Sequence, residues 1–214
     1  MKRIVLTMVM GAFALITMAQ AREDNRLGWN ASVQGGVLYS INENTYAASF
    51  GDLLTPGAAL AVGYDFSHNV GVRAQVMYGR NVSGTNIKES GRELTLYRFN
   101  DVSLFGDVVF NLSHMCSRDF RKNFAVELKG YVGLGCVFAD DYDDEDASHY
   151  TVLDNGQTVF AIRGGFIADW HVTQAWSLYG DLGLTAFTDG FNGVSAGTWA
   201  DLRVNLMMGV AYHF

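Results

Sequence analysis

The chain has 214 residues and a formal net charge of -7, which argues against a nucleic-acid partner, since such recognition needs a clustered basic surface. Apolar residues make up 49% of it and charged residues 17%, an ordinary bulk composition for one folded domain. Glycine is frequent at 24 and proline occurs once, and beyond the first twenty residues no apolar run is long enough to cross a bilayer as a helix.

Residues 1–21 read as a secretory signal peptide. Lys2 and Arg3 give the positive start, residues 4–18 the apolar core, and Ala19-Gln20-Ala21 the small-x-small cleavage site. Cleavage there makes Arg22 the first mature residue. No cysteine follows the site, so a lipid anchor is not expected.

From Leu27 the chain divides into about eight segments that alternate with period 2, the signature of strands whose two faces meet different environments. Trp29, Ala31, Val33, Gly35, Val37 and Tyr39 oppose Asn30, Ser32 and Gln34. Ala58, Leu60, Val62, Tyr64 and Phe66 oppose Ala59, Ala61, Gly63 and Asp65. Val70, Val72, Ala74, Val76 and Tyr78 oppose Arg73, Gln75 and Met77, and Val102, Leu104, Val108, Phe110 and Leu112 oppose Asp101, Ser103, Asp107 and Asn111. In the second half, Phe124, Val126, Leu128, Val132, Leu134 and Phe138 oppose Glu127, Lys129 and Tyr131. Phe160, Ile162, Phe166, Ala168 and Trp170 oppose Arg163, Asp169 and His171, and Trp176, Leu178, Leu182 and Leu184 oppose Ser177, Tyr179, Asp181 and Thr185. The closing segment sets Leu202, Val204, Leu206, Met208, Val210, Tyr212 and Phe214 against Arg203, Asn205, Met207, Gly209, Ala211 and His213. Aromatic residues gather toward segment ends, as they do at membrane interfaces. The connections alternate between short turns (67–69 and 173–175) and long polar loops (41–55, 81–97, 139–157 and 188–198), with 113–123 longer than a turn requires.

The chain closes on Gly209, Tyr212 and Phe214: glycine, two residues, aromatic, any residue, aromatic. This resembles the terminal signature that the assembly machinery of outer-membrane β-barrels reads. The whole mature stretch is similar to the small OmpA/OmpX-type barrels, of the kind described as an outer-membrane protein β-barrel domain. The resemblance implies an all-β fold, an eight-stranded antiparallel up-and-down transmembrane barrel with both termini in the periplasm. It also implies a place in the outer membrane of a Gram-negative bacterium, among lipid that includes lipopolysaccharide. A soluble lipocalin-like barrel is the alternative; it would reverse the polarity and put the apolar face inside.

On this reading Asp65, Arg73, Asp101, Asp107, Glu127, Lys129, Arg163, Asp169, Asp181 and Arg203 face the lumen. An eight-stranded lumen is filled by its own side chains, so these charges should pair with one another; an ion path along them is the competing reading. The acidic run that includes Asp140, Asp141, Asp143 and Asp144 could collect a divalent cation, although it lacks the calcium-loop spacing and reads first as a solvated charge run. Ser67-His68, Ser113-His114 and Ser148-His149 are adjacent pairs, which a strand would point apart. His171 and His213 fall on the lumen face with satisfied polar partners expected, and no catalytic residue or cofactor is assigned. Cys116 and Cys136 should lie too far apart to join. The expected role is a structural or surface-interaction one for a monomer whose four loops would engage any extracellular ligand. A narrow channel and a lipid-modifying enzyme are the alternatives.

Overall fold

The computed structural model describes residues 27–41, 48–84, 96–116, 125–143, 156–188, 191 and 201–214. Eight strands follow one another: β1 Gly28–Ile41, β2 Leu54–Asp65, β3 Val70–Gly84, β4 Leu96–Asn111, β5 Val126–Asp143, β6 Gln157–His171, β7 Trp176–Phe187 and β8 Asp201–His213. Each pairs antiparallel with the next, and β8 pairs with β1, so the sheet closes into an up-and-down barrel. Closure leaves no unpaired edge, which matters most where no water can satisfy a free backbone group.

The alternation read from the sequence sets the two faces. Phe160 and Met208 are 70% and 71% exposed on the outside, while Arg203 and Thr185 on the inside are 0% exposed. This inverts the polarity of a water-soluble barrel: the apolar band faces out and the charges face in. At one rim Trp29 meets Tyr64 with ring centroids 5.1 Å apart, Tyr64 meets Phe66 at 5.2 Å, Trp176 meets Tyr212 at 4.9 Å and Tyr212 meets Phe214 at 4.9 Å. That rim is the turn end. There the β2–β3 and β6–β7 connections tighten in the same way: Ser67 Oγ accepts from the Val70 amide at 3.1 Å and Thr173 Oγ1 from the Trp176 amide at 2.9 Å, a hydroxyl standing in for a backbone carbonyl.

Glycines line the seam between β1 and β8 where the two backbones meet. A Cβ on Gly209 would strike the Val33 carbonyl and lie 2.8 Å from the Gln34 Cα, and a Cβ on Gly36 would lie 2.7 Å from the Met207 Cα. Glycine at these positions lets the last strand seat against the first. The glycine of the terminal signature therefore has a packing reason of its own.

Three expectations need correction. The ladders outrun the apolar alternation at the loop end: β3 continues to Gly84, β4 starts at Leu96, and β5 runs to Asp143. Strand pairing needs only backbone partners, so it persists where the outward face is no longer apolar. The 41–55 loop contains a 3₁₀ turn, Phe50–Leu53, and the long turn-end connection opens with a short helix, α1 Leu112–Met115. Leu112 accordingly belongs to that helix and not to the lipid-facing row of β4. Residues 1–26, Phe124 and Asp144 lie outside the described residues, as does most of the four loops.

Cys116 and Cys136 are free thiols. Cys116 follows α1 at the turn end, whereas Cys136 sits on the outward face of β5 opposite Leu104 and Phe160. Lys129 pairs with Asn111, and seven further residues of strand to Cys136 add about 23 Å. In the lipid-embedded protein a charged maleimide is expected to modify Cys116 readily and Cys136 only after unfolding. Equal rates at the two thiols would take Cys136 out of the lipid belt.

Candidate functional site

The lumen is filled by side chains in three layers. In the middle layer Asp107 of β4 is the node. Its Oδ2 accepts from Arg73 Nε at 2.7 Å and Arg163 Nη2 at 2.6 Å, and its Oδ1 accepts from Arg163 Nε at 2.8 Å. Arg73 reaches on to Tyr179 Oη at 2.7 Å and Asp181 Oδ2 at 2.8 Å, Tyr131 donates to Asp181 Oδ1 at 2.8 Å, and Arg163 also donates to Gln75. The two guanidinium planes stack on aromatic rings, Arg163 over Phe105 at 3.9 Å and Arg73 over Tyr131 at 4.3 Å. Planar forked donors suit this setting because each can satisfy several acceptors while its face packs.

Toward the loop end Arg203 of β8, fully buried, donates to Asp101 Oδ1 of β4 at 2.7 Å. Asn81 and Ser103 complete the carboxylate's shell at 2.7 and 2.5 Å. Among the described residues two ion pairs cross the whole lumen, Arg73–Asp181 and Arg203–Asp101, since β3 and β7, like β4 and β8, stand four strands apart in a ring of eight. Above the Arg203 layer lies an apolar lid that includes Tyr97, Phe99 and Phe187, while Leu38, Met77 and Val137 pack level with that layer. Phe187 stacks on Phe191 with centroids 3.9 Å apart, and Phe99 meets Phe191 edge-on at 5.2 Å.

The turn-end layer is built differently. Lys129 Nζ donates to Asp169 Oδ2 at 2.9 Å and stands 3.5 Å from Glu127 Oε2. Asn111 donates to Glu127 Oε2 at 2.9 Å, and His114 Nε2 is 3.3 Å from Glu127 Oε1. His171 Nε2 lies 3.5 Å from Glu127 Oε2, outside a good hydrogen bond. His213 Nε2 is 3.1 Å from Ser177 Oγ and 3.7 Å from Asp169 Oδ2. Asp65 is half-buried and accepts from Asn30 at 3.0 Å.

All ten charges expected in the lumen are on the inward face, nine of them buried and Asp65 partly so. The acidic run forms no described site: Asp140 is exposed on the outward face of β5, Asp141 and Asp143 continue that strand, and Asp144 lies outside the described residues. Ser67 and Ser113 spend their hydroxyls on backbone amides, Val70 at 3.1 Å and Leu128 at 2.8 Å. The expectation that His171 has satisfied partners fails, because its Nε2 is buried without a hydrogen bond. The apolar lid and the Ser177–His213 contact are not expected from the sequence; the signal for the first is inward Phe99 and Phe187, each in phase with the polar face.

No family model matches the chain, and no curated protein matches it. Among solved structures it is similar to Neisserial surface protein A, at 14% identity and a TM-score of 0.56, covering 87% of this chain and 97% of that one. It is also similar to the outer membrane protein OprG from Pseudomonas aeruginosa, at 11% identity and a TM-score of 0.57, covering 91% of this chain and 99% of that one. Identity this low speaks for fold alone. These neighbours are outer-membrane barrels of Gram-negative bacteria, and the chain has the fold of the small eight-stranded outer-membrane β-barrels.

Proposed function

We propose that the chain is a non-conducting, non-enzymatic barrel of the outer membrane that works through its loop end. The observation that carries this is the filled lumen: two layers of paired buried charges beneath an apolar lid. On this reading the turn end, with both termini, faces the periplasm. The assembly machinery reads Gly209, Tyr212 and Phe214, the apolar belt meets lipid and lipopolysaccharide as a monomer, and the loops engage an extracellular ligand.

The Ser–His–Asp grouping found among the described residues does not make a catalytic relay. Ser177 Oγ and Asp169 Oδ2 both approach Nε2 of His213, at 3.1 and 3.7 Å. A relay needs the carboxylate on the opposite ring nitrogen from the nucleophile.

Current across a planar bilayer holding the refolded protein is the test, with folding checked by altered mobility of the unheated sample on a detergent gel. A silent membrane is expected. Steady single-channel steps whose selectivity changes in Arg203→Ala would make the lumen a path and replace this reading with a narrow channel.

A further inference from the structure

We propose that the turn end of the lumen is a binding site for one divalent transition-metal ion of the zinc class, ligated by Asp169, His171 and His213. Asp169 and His171 are two residues apart on β6 and so share the inward face. β7 then brings His213 of β8 to their side, and one ligand atom from each of the three lies within 4.8 Å of the others. Ligands at zinc distances of about 2.0–2.2 Å sit about 3.3–3.5 Å apart in a tetrahedral shell, a contraction that modest side-chain rotations supply.

Two further observations point to a cation. Asp169 Oδ1 and His171 Nε2 are buried without a hydrogen-bond partner, and buried polar atoms left unpaired are costly. Second, a cavity of about 20 Å³ opens at two of the three ligands, His171 and His213, room for a single ion or water.

The donor set selects the metal. Imidazole nitrogen with one carboxylate suits zinc and its first-row neighbours, whereas calcium and magnesium take oxygen. Lys129 holds Asp169 Oδ2 at 2.9 Å and leaves Oδ1 for the ion, the outer-sphere orientation typical of metal-bound carboxylates. Bound there, the ion would tie β6 to β8 across β7, close to the end of the chain.

Calorimetric titration of Zn²⁺ into the chelator-treated, refolded barrel in detergent tests this. One zinc per chain is expected, with binding weakened ~100-fold or more in H171Q and in H213Q, at or beyond the upper end of the 10–100-fold that outer-sphere losses produce. Neutralising Asp140, Asp141, Asp143 and Asp144 together should change nothing. Absence of binding overturns the site. So does binding that survives H171Q/H213Q, which would move the ion elsewhere, the acidic run being the first place to look. If either variant fails to refold, imidazole ¹⁵N shifts of the unmutated protein decide instead. Zinc should move the His171 and His213 signals, and unmoved signals overturn the proposal.

Discussion

Replacing Asp107 with Ala is expected to destabilise the barrel more than any other single change in its interior. One carboxylate accepts three hydrogen bonds from two guanidiniums, Arg73 and Arg163, at 2.6 to 2.8 Å. Breaking a single buried pair typically costs about 3–5 kcal/mol because the partner is stranded; here two partners are stranded together, so that range is a lower bound. Asp181 can still answer Arg73 at 2.8 Å, but among the described residues Arg163 keeps only Gln75 and the Phe105 and Tyr131 rings. Urea unfolding of the detergent-refolded protein, followed by gel mobility and tryptophan fluorescence, measures the loss. Asp107→Asn preserves volume and two acceptor lone pairs, so it should fall between wild type and Asp107→Ala. A change below about 1 kcal/mol would mean that water, not protein, solvates these charges.

Lys129→Ala should have the next largest effect, by the opposite sign of charge. Lys129 is the ammonium that faces both Asp169 and Glu127, and its loss strands the buried Asp169 carboxylate that it holds at 2.9 Å. A fall of about 3–5 kcal/mol is expected, measured with a chelator present so that no adventitious cation takes its place. Lys129→Met, which keeps the aliphatic stem, should recover only the packing part. An unchanged unfolding midpoint would show a wet turn end.

The fold was legible because a barrel with opposite solvents on its two faces writes its period into every strand. Met208 against Met207, or Leu104 against Ser103, is enough to set the phase. The ten inward charges followed from that phase alone. Their pairing did not: whether Arg73 meets Asp107 or Asp181 depends on strand stagger around the ring, a property no single strand carries. The lid was missed for a related reason. Phe99 and Phe187 occupy inward positions, and an apolar residue in an otherwise polar row reads as noise until its neighbours from other strands are known. Tyr97 was placed in a loop because the outward alternation had already ended there, although its ladder had not. The Asp169–His171–His213 grouping joins residues up to 44 positions apart, and only the two-residue spacing on β6 could have hinted at it.

The bonds from Arg73 to Asp181 and from Arg203 to Asp101 join strands on opposite walls. A hoop fixed only around its circumference can flatten into an ellipse under sideways load. A hoop with two crossed spokes cannot do so without breaking one. Changing lateral pressure in the surrounding lipid should therefore leave the outline of this barrel unaltered, and with it the spacing of the four loop anchors on the rim. Whatever those loops engage meets a frame of constant dimensions.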